Sequence, residues 1–516
     1  MAENDVQKAG RREWIGLAVI ALPCLLYSMD LTVLHLAVPE LSVDLRPSSA
    51  QLLWILDIYG FLVAGSLITM GTVGDRIGRR RLLMIGAAAF GAASLLAAFS
   101  TSPEMLIVAR ALLGVAGATL APSTLSLIRN MFHDPHQRTV AIGVWITSYS
   151  AGGAIGPLVG GVMLEFFWWG SVFLLAVPVM VLLLVLAPVL LPEFRDPSPG
   201  RLDLISAGLS LVSVLAVIYS LKQIAQDGLG WTPALSIVAG LAIGAIFVRR
   251  QTKLADPLID LQLFRSRIFS TSLTAYTLSI LVLFGAFLFV FQYLQLVKGL
   301  SPLMAGLWTL PSFAGFIVGS MLAPMIIRRV RPVTVMVAGL AIGAAGFAML
   351  TQVDAGLGVL VAAMVVFSLG LAPLITLTTD VIVGAAPPER AGAASAISET
   401  GAELGGALSI ALLGTIGTAV YRNQVSDGIP AGVPSEEATA ARDTLGGAVS
   451  ASNELPDSLA GEVLDVARDA FTQGLQVAAL TSAAIAAVTA VLVAVVLRRA
   501  RLAPVDGHIA VAAEES

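Results

Sequence analysis

Four carboxylates stand inside stretches that are otherwise apolar: Asp30 in MDLTVLHLAVP, Asp57 in WILDIYG, and Glu399 and Glu403 in SETGAELGG. An acid deep in hydrocarbon costs at least ~2.5 kcal/mol on insertion scales, so its presence there points to function. Glu399 and Glu403 are spaced i, i+4, which puts them on one face of a helix, one turn apart. Burial and a neighbouring acid both disfavour the doubly ionised pair. Either one can therefore hold a proton near neutral pH and exchange it for a cation. A structural hydrogen-bonded pair is the alternative. Asp57 sits closer to the end of its stretch, where a structural role reads about as well. Arg110 opens the pattern Arg110, Gly114, Gly117 and is a lone cation among apolar residues. It needs a partner, and Asp30 on a neighbouring helix is the expected one. His35 follows Asp30 off its face and reads as a satisfied histidine at a helix end. Asp380 sits at a helix end and reads as structural.

Glycines form the second pattern. The stretch from Gly143 to Gly161, GVWITSYSAGGAIGPLVGG, carries no charge. Gly152, Gly156 and Gly160 recur every fourth residue and form a smooth stripe that lets two helix backbones approach, while Pro157 predicts a bend. The loop from Gly71 to Arg81 reads as a tight glycine-permitted turn at Gly71, Gly74 and Gly78. Asp75 there is expected to cap or face a helix N-terminus, with Arg76, Arg79, Arg80 and Arg81 anchoring the inner face. Positive-inside topology alone is the alternative, and it leaves Asp75 and the glycine spacing unaccounted for. Trp54, Tyr59, Trp145 and Tyr149 are candidates to meet a flat lipophilic cation by cation–π contact. Further aromatics (Tyr276, Phe284, Phe287, Phe291, Trp308, Phe313) occupy later spans.

These residues must be positioned by helices in a bilayer. The 516 residues are 57% hydrophobic and 12% charged, with a mean hydropathy of +0.88, so the chain reads as a polytopic membrane protein. Helices are expected near 14–38, 50–73, 82–101, 104–128, 138–163, 167–190, 204–224, 231–249, 268–296, 301–327, 332–352, 356–384, 390–421 and 472–497, which makes fourteen spans. Of the 30 Lys and Arg, only Arg46, Lys222, Lys298, Arg422, Arg442 and Arg468 fall on the side opposite the rest, apart from Arg110 within a span. That bias predicts cytoplasmic termini. Gly60-Phe61-Leu62-Val63 is echoed by Gly315-Phe316-Ile317-Val318, and Leu120-Ala121-Pro122 by Leu371-Ala372-Pro373. The echoes predict an internal repeat of two six-helix bundles, 1–195 and 256–516, with a pair of spans in 196–255 inserted as a packing hairpin. Residues 421–470 read as a long acidic outer loop, a cap or cation collector in one reading and a solvated insertion in the other. A short amphipathic helix is expected from Leu455 to Phe471, and a disordered tail after Arg501. Cys24 is the only cysteine, which excludes an intrachain disulfide. No P-loop, hydrolase nucleophile or metal cluster is legible, and the first apolar run is too long for a signal peptide.

Taken together, the chain resembles the fourteen-span drug:proton antiporter family of the major facilitator superfamily, close to the QacA/SmvA/LfrA group. The resemblance rests on Asp30-Leu31-Thr32-Val33 with Ala37-Val38-Pro39, on Trp54 to Tyr59, and on the loop at Gly71–Arg81. It also rests on Arg110, on the stripe at Gly143–Gly161, and on Glu399 and Glu403. Leu113 and His35 depart from that family's frequent residues, and the tenth span carries no acid. The resemblance implies an all-α fold of two six-helix bundles plus two inserted helices. It implies export of lipophilic cations such as quaternary ammonium compounds, dyes and biocides across the bacterial cytoplasmic membrane, driven by inward protons. Asp30, Glu399, Glu403 and Arg110 are the expected proton-coupling residues. Asp57, Glu399, Glu403, Trp54, Tyr59, Trp145 and Tyr149 are the expected substrate-binding residues. No enzyme activity, cofactor, metal or nucleic acid is expected, and the chain is expected to act as a monomer. A dedicated exporter of one endogenous metabolite or antibiotic, and a non-transporting membrane sensor, are the alternatives.

Overall fold

The computed structural model describes residues 9–45, 47, 49–195, 203–227, 230–254, 257–259, 261–386, 391–430, 432–497, 502–505 and 508–511, some side chains excepted. The first half runs α1 (Arg11–Leu45), α2 (Ser49–Ile77), α3 (Arg79–Ala98), α4 (Pro103–Gly117), α5 (Leu120–Met131), α6 (Pro135–Phe166), α7 (Ser171–Leu174) and α8 (Ala176–Leu190). Then come α9 (Leu204–Asp227) and α10 (Trp231–Gln251). The second half runs α11 (Arg267–Gln292), α12 (Pro302–Ile326), α13 (Pro332–Leu350), α14 (Leu357–Ala385), α15 (Ala391–Leu408) and α16 (Thr415–Gly428). It closes with α17 (Ser435–Asp443), α18 (Leu445–Ser452) and α19 (Asp457–Leu497). Tyr293–Val297 and Ser409–Gly414 are wider π turns.

Local chemistry sets several starts. Ser102 Oγ accepts from the Met105 amide at 3.2 Å, Asp134 Oδ1 from Gln137 at 2.9 Å and Ser301 Oγ from Met304 at 3.3 Å. A proline opens each of those helices, where its missing N–H is harmless. Helix occupies each of the fourteen segments read from the sequence. Eleven helices among the described residues are long and apolar enough to cross a bilayer, or twelve if the bent α2 counts as one span. The expected span at 104–128 is broken between α4 and α5. Pro122 lacks the amide that would bond the Ala118 carbonyl, and the break falls at Ala118–Thr119.

In the first half α1 packs along α6, α2 along α4, and α3 along α8; in the second, α13 and α12 pack on α14, and α19 on α13, α11 and α16. The halves meet where α6 lies on α12, and where α2 and α5 lie on α15. The inserted α9 and α10 pair with each other, and α9 covers the α2–α15 junction. Phe61 and Ala64 of α2, Ile218 of α9 and Ala407 of α15 form one buried cluster there. Outside it, α10 exposes Trp231, Leu235, Val238 and Leu241, as a lipid-facing helix would.

Two expectations change. Residues 421–470 are a small packed helical layer, with Val425, Ala441, Leu445 and Val463 buried and Tyr421 Oη donating to the Ala441 carbonyl at 2.7 Å. Alanines at helical spacing give that layer an apolar side that its acids disguise. The helix expected from Leu455 is the first part of the 41-residue α19. In the tail, β1 (Leu502–Val505) pairs antiparallel with β2 (His508–Val511).

Candidate functional site

α1 brings Tyr27 and Asp30 to the centre from positions i and i+3. Arg110 of α4 is 1% exposed and is ion-paired through Nη1 to Asp30 Oδ2. Its Nε donates to the Ile55 carbonyl at 3.2 Å. Its guanidinium lies 4.6 Å from the Tyr59 ring centre and 5.9 Å from that of Phe173. The expected partner of the lone arginine is therefore the observed one, and both charges stay within the first half.

The other two acids sit between the halves. Tyr27 Oη donates to Glu403 Oε1 at 3.1 Å, a bond from α1 to α15. Glu399 Oε1 is buried with no hydrogen-bond partner among the described residues. Around these acids stands an aromatic wall. Tyr27 lies 5.8 Å from Tyr59 and 5.6 Å from Tyr149, and Tyr149 lies 4.8 Å from Trp145. Trp145 donates its indole N–H to Thr124 Oγ1 at 2.9 Å and is itself buried. Cys24 Sγ lies 3.6 Å from the same Thr124 oxygen. Trp54 is not part of this wall; it is 42% exposed and its ring meets Phe61 at 6.3 Å. The side chain of Asp57, like that of His35, lies outside the described residues.

The glycine stripe faces α1. A Cβ on Gly152 would come 2.1 Å from the Leu25 carbonyl oxygen, and one on Gly160 2.8 Å from Val33 Cγ1. Gly156 is buried, and the side chain of Pro157 lies outside the described residues. Gly143 points the other way, with Ser320 O of α12 at 3.4 Å from its would-be Cβ, whereas Gly161 has nothing within 4 Å. So α6 presses one face on the helix that bears Tyr27 and Asp30, and another on the second half.

The loop motif corrects the sequence reading. α2 continues through Gly71, Gly74, Asp75 and Arg76 to Ile77, and the turn is made at Gly78 alone, with φ 111°. Small residues are tolerated inside membrane helices, and Gly74 serves close packing. Asp75 faces the start of α3 by pairing with its first residue, Arg79, which is fully buried. A Cβ on Gly74 would come 2.5 Å from Arg79 Nη1. Arg80 donates to the Pro188 and Leu191 carbonyls at 3.2 and 3.0 Å, tying the turn to the end of α8.

A latch went unread in the sequence. Asp380 of α14 is 2% exposed and accepts from Arg138 Nε of α6 at 3.1 Å, with Thr139 Oγ1 at 3.4 Å. Arg129 of α5 donates to the Val383 carbonyl near the end of α14. Asp380, read as a structural helix end, is an inter-half contact. The signal available was the repeat, which aligns the acid Asp380 with the base Arg129.

Two apolar helical halves meeting on half-buried carboxylates and tyrosines define a multi-pass membrane protein. The family model of the Major Facilitator Superfamily matches residues 20–410, and the chain belongs to that superfamily. It is 46% identical over 490 residues to the multidrug efflux pump LfrA of Mycolicibacterium smegmatis, covering 95% of this chain and 97% of that one. It is 36% identical over 463 residues to the methyl viologen resistance protein SmvA of Salmonella typhimurium, covering 89% and 93%. The crystal structure of the human organic anion transporter MFSD10 shares the fold, with a TM-score of 0.58 at 16% identity over 93% of this chain and 99% of that one. The protein is a transporter of the bacterial cytoplasmic membrane and not an enzyme.

Proposed function

We propose that this protein is a proton-coupled multidrug exporter that exchanges lipophilic cations, such as quaternary ammonium compounds and dyes, for inward-moving protons. The reading takes fourteen spans with both termini cytoplasmic. It places bundles at 1–195 and 256–516, the inserted pair at 196–255, and the acidic layer at 421–470 outside. The protein acts as a monomer without a cofactor, and the proton gradient supplies the energy. The relatives support the drug class, since one is named a multidrug efflux pump and another is named for resistance to methyl viologen, an organic cation.

The observation that carries the reading is the setting of Glu399 and Glu403. Both stand on α15 among tyrosines of the other half, Glu403 held by Tyr27, and no cation among the described residues forms an ion pair with Glu399. A carboxylate so placed is neutralised by a proton or by a cationic ligand, and the two compete. The tyrosine faces and Trp145 suit a flat cation. Asp30 is the proton-coupling acid, because Arg110 already neutralises it and protonation there frees a buried guanidinium to rearrange α4 against α1 and α2. Alternating access then rocks the halves about the α6–α12 and α2–α15 contacts.

The test is ethidium transport in proteoliposomes with an imposed pH gradient. Dye accumulation should follow the gradient and release protons in step. Absence of any dye-dependent proton movement, at every gradient imposed, would sink the proposal.

A further inference from the structure

Asp30 keeps 15% side-chain exposure although Arg110 is 1% exposed. The exposure faces a cavity of about 20 Å³, lined from α1 by Met29, Asp30 and Val33, from α3 by Phe90 and Ser94, and from the α7–α8 strap by residues including Phe173 and Ala176. None of those elements belongs to the second half. The aromatic wall near Glu399 and Glu403 contributes no residue to it. A cavity of this size admits one water, which needs polar partners. Asp30 and Ser94 are the polar side chains of the lining, and Ser94 is itself 1% exposed. Ser94 lies one helical turn before Ala98, the last residue of α3, so about 6 Å of helix separates it from that end. Trp168 stands at that end, donating its indole N–H to the Ala98 carbonyl at 3.2 Å.

We propose that this cavity is a water site for proton delivery to Asp30, with Ser94 as its positioning residue, so that the proton reaches Asp30 inside the first half and apart from the carboxylates that meet the cation. The proposal rests on the reading of Asp30 as the proton acceptor and of the Ala98 end as the outer one. The water takes a proton from hydronium on the outer side and passes one of its own to the free Asp30 oxygen; one O–H bond breaks for each that forms. Protonated Asp30 then releases Arg110. Among the described residues, the charged and titratable groups near Asp30 include Arg110 from α4, Tyr59 from α2 beyond it, and Tyr27 one turn before it on α1. Among the cavity residues, α3 and the α7–α8 strap add Ser94 and apolar side chains.

The test fills the cavity from opposite walls, by Ser94→Val and by Ala176→Leu, and compares both with Ser94→Gly, which leaves room for a second water. Three quantities are measured in proteoliposomes: ethidium affinity, ethidium–ethidium exchange without a pH gradient, and gradient-driven ethidium transport against outside pH. Both filled variants should lose about ten-fold in driven rate, equivalent to ~1.4 kcal/mol on the barrier. A delivery step ten times slower needs ten times more protons, so the acid plateau should move down by about one pH unit. Affinity and exchange should stay near wild type, and Ser94→Gly, which keeps the space but removes the hydroxyl, should drive transport faster than Ser94→Val and slower than wild type. Driven transport with an unchanged pH profile in both filled variants would overturn the proposal. So would a parallel fall in exchange, which marks a packing defect. A wild-type protein without gradient-driven transport would instead defeat the functional reading on which it rests.

Discussion

Asp30 and Glu399 are both half-buried acids on membrane helices, yet their surroundings divide them. Asp30 has a guanidinium on one oxygen and stays within its own half. Glu399 has an oxygen without a partner among the described residues where the two halves meet. The first arrangement is a settled pair whose cost of burial is offset by attraction. The second leaves a charge to be neutralised by whatever arrives. The difference teaches that depth alone does not assign a role to an intramembrane acid; its fixed partners do.

Breaking the pair should have the largest effect. Arg110→Ala strands Asp30 and should cost about 3–5 kcal/mol, read as lost yield or a sharply lower unfolding temperature in detergent. Glu399→Gln removes a charge with no bonded cation, so unfolding should stay level or rise while affinity for a monovalent cationic dye falls. Equal losses of stability in both variants would erase the distinction drawn above. The glycine stripe tests whether α1 must sit where it does for either acid to work. Gly152→Leu drives a side chain at the Leu25 backbone and should cost at least the 1–3 kcal/mol typical of overpacking, with export abolished. Gly161→Leu, which meets open space, should export normally, and a similar defect there would sink the packing argument.

A smaller effect is expected at the latch, where the contrast is between acids that bind and an acid that holds. Asp380→Asn weakens the contact between α6 and α14 and should raise maleimide labelling of Cys24, which is buried, by about ten-fold for ~1.4 kcal/mol of shifted equilibrium. Unchanged labelling would mean that Arg138 and Asp380 do not govern opening. The smallest effect belongs to an ion pair at the membrane edge. Arg250, bonded to Asp203 at 2.8 Å, holds that carboxyl well below its ordinary value of 3.8, with Ser206 assisting. A depressed folded value adds stability that is present above the unfolded value and lost as pH falls through the folded one. Asp203→Asn should therefore lower the unfolding midpoint slightly at neutral pH, with the gap to wild type closing below about pH 4. A gap that widened in acid would contradict the pairing.

Much of this architecture was legible because hydrocarbon enforces simple rules. A lone arginine between apolar residues has few partners, and Arg110 found the one it was assigned. Glu399 and Glu403 share a face because the helix period requires it. Tyr27 was not singled out, although it precedes Asp30 by three residues and so shares its face; a tyrosine in a span carries no charge to draw the eye. Asp380 escaped because an acid near a helix end is ordinary, and only tertiary contact reveals that the end abuts the other half. The turn was misplaced at Gly71 and Gly74 because those residues permit both a turn and a tightly packed helix. At Gly74, packing against Arg79 decides between them. The helical layer at 421–470 was hidden by its acids, which lie on the surface of an alanine-based core.

The length of α19 has a mechanical consequence. Its 41 residues make a rod of about 60 Å at 1.5 Å per residue, roughly twice the hydrocarbon thickness of ~30 Å. The rod begins among α16–α18, where Ala467 and Val463 are buried, and runs on to pack against α11 and α13. The helical layer is thus bolted to the second half as a pointer is to a dial. A tilt too slight to follow among close-packed helices becomes a displacement at the pointer's tip, where a fluorophore or an antibody fragment has room to sit.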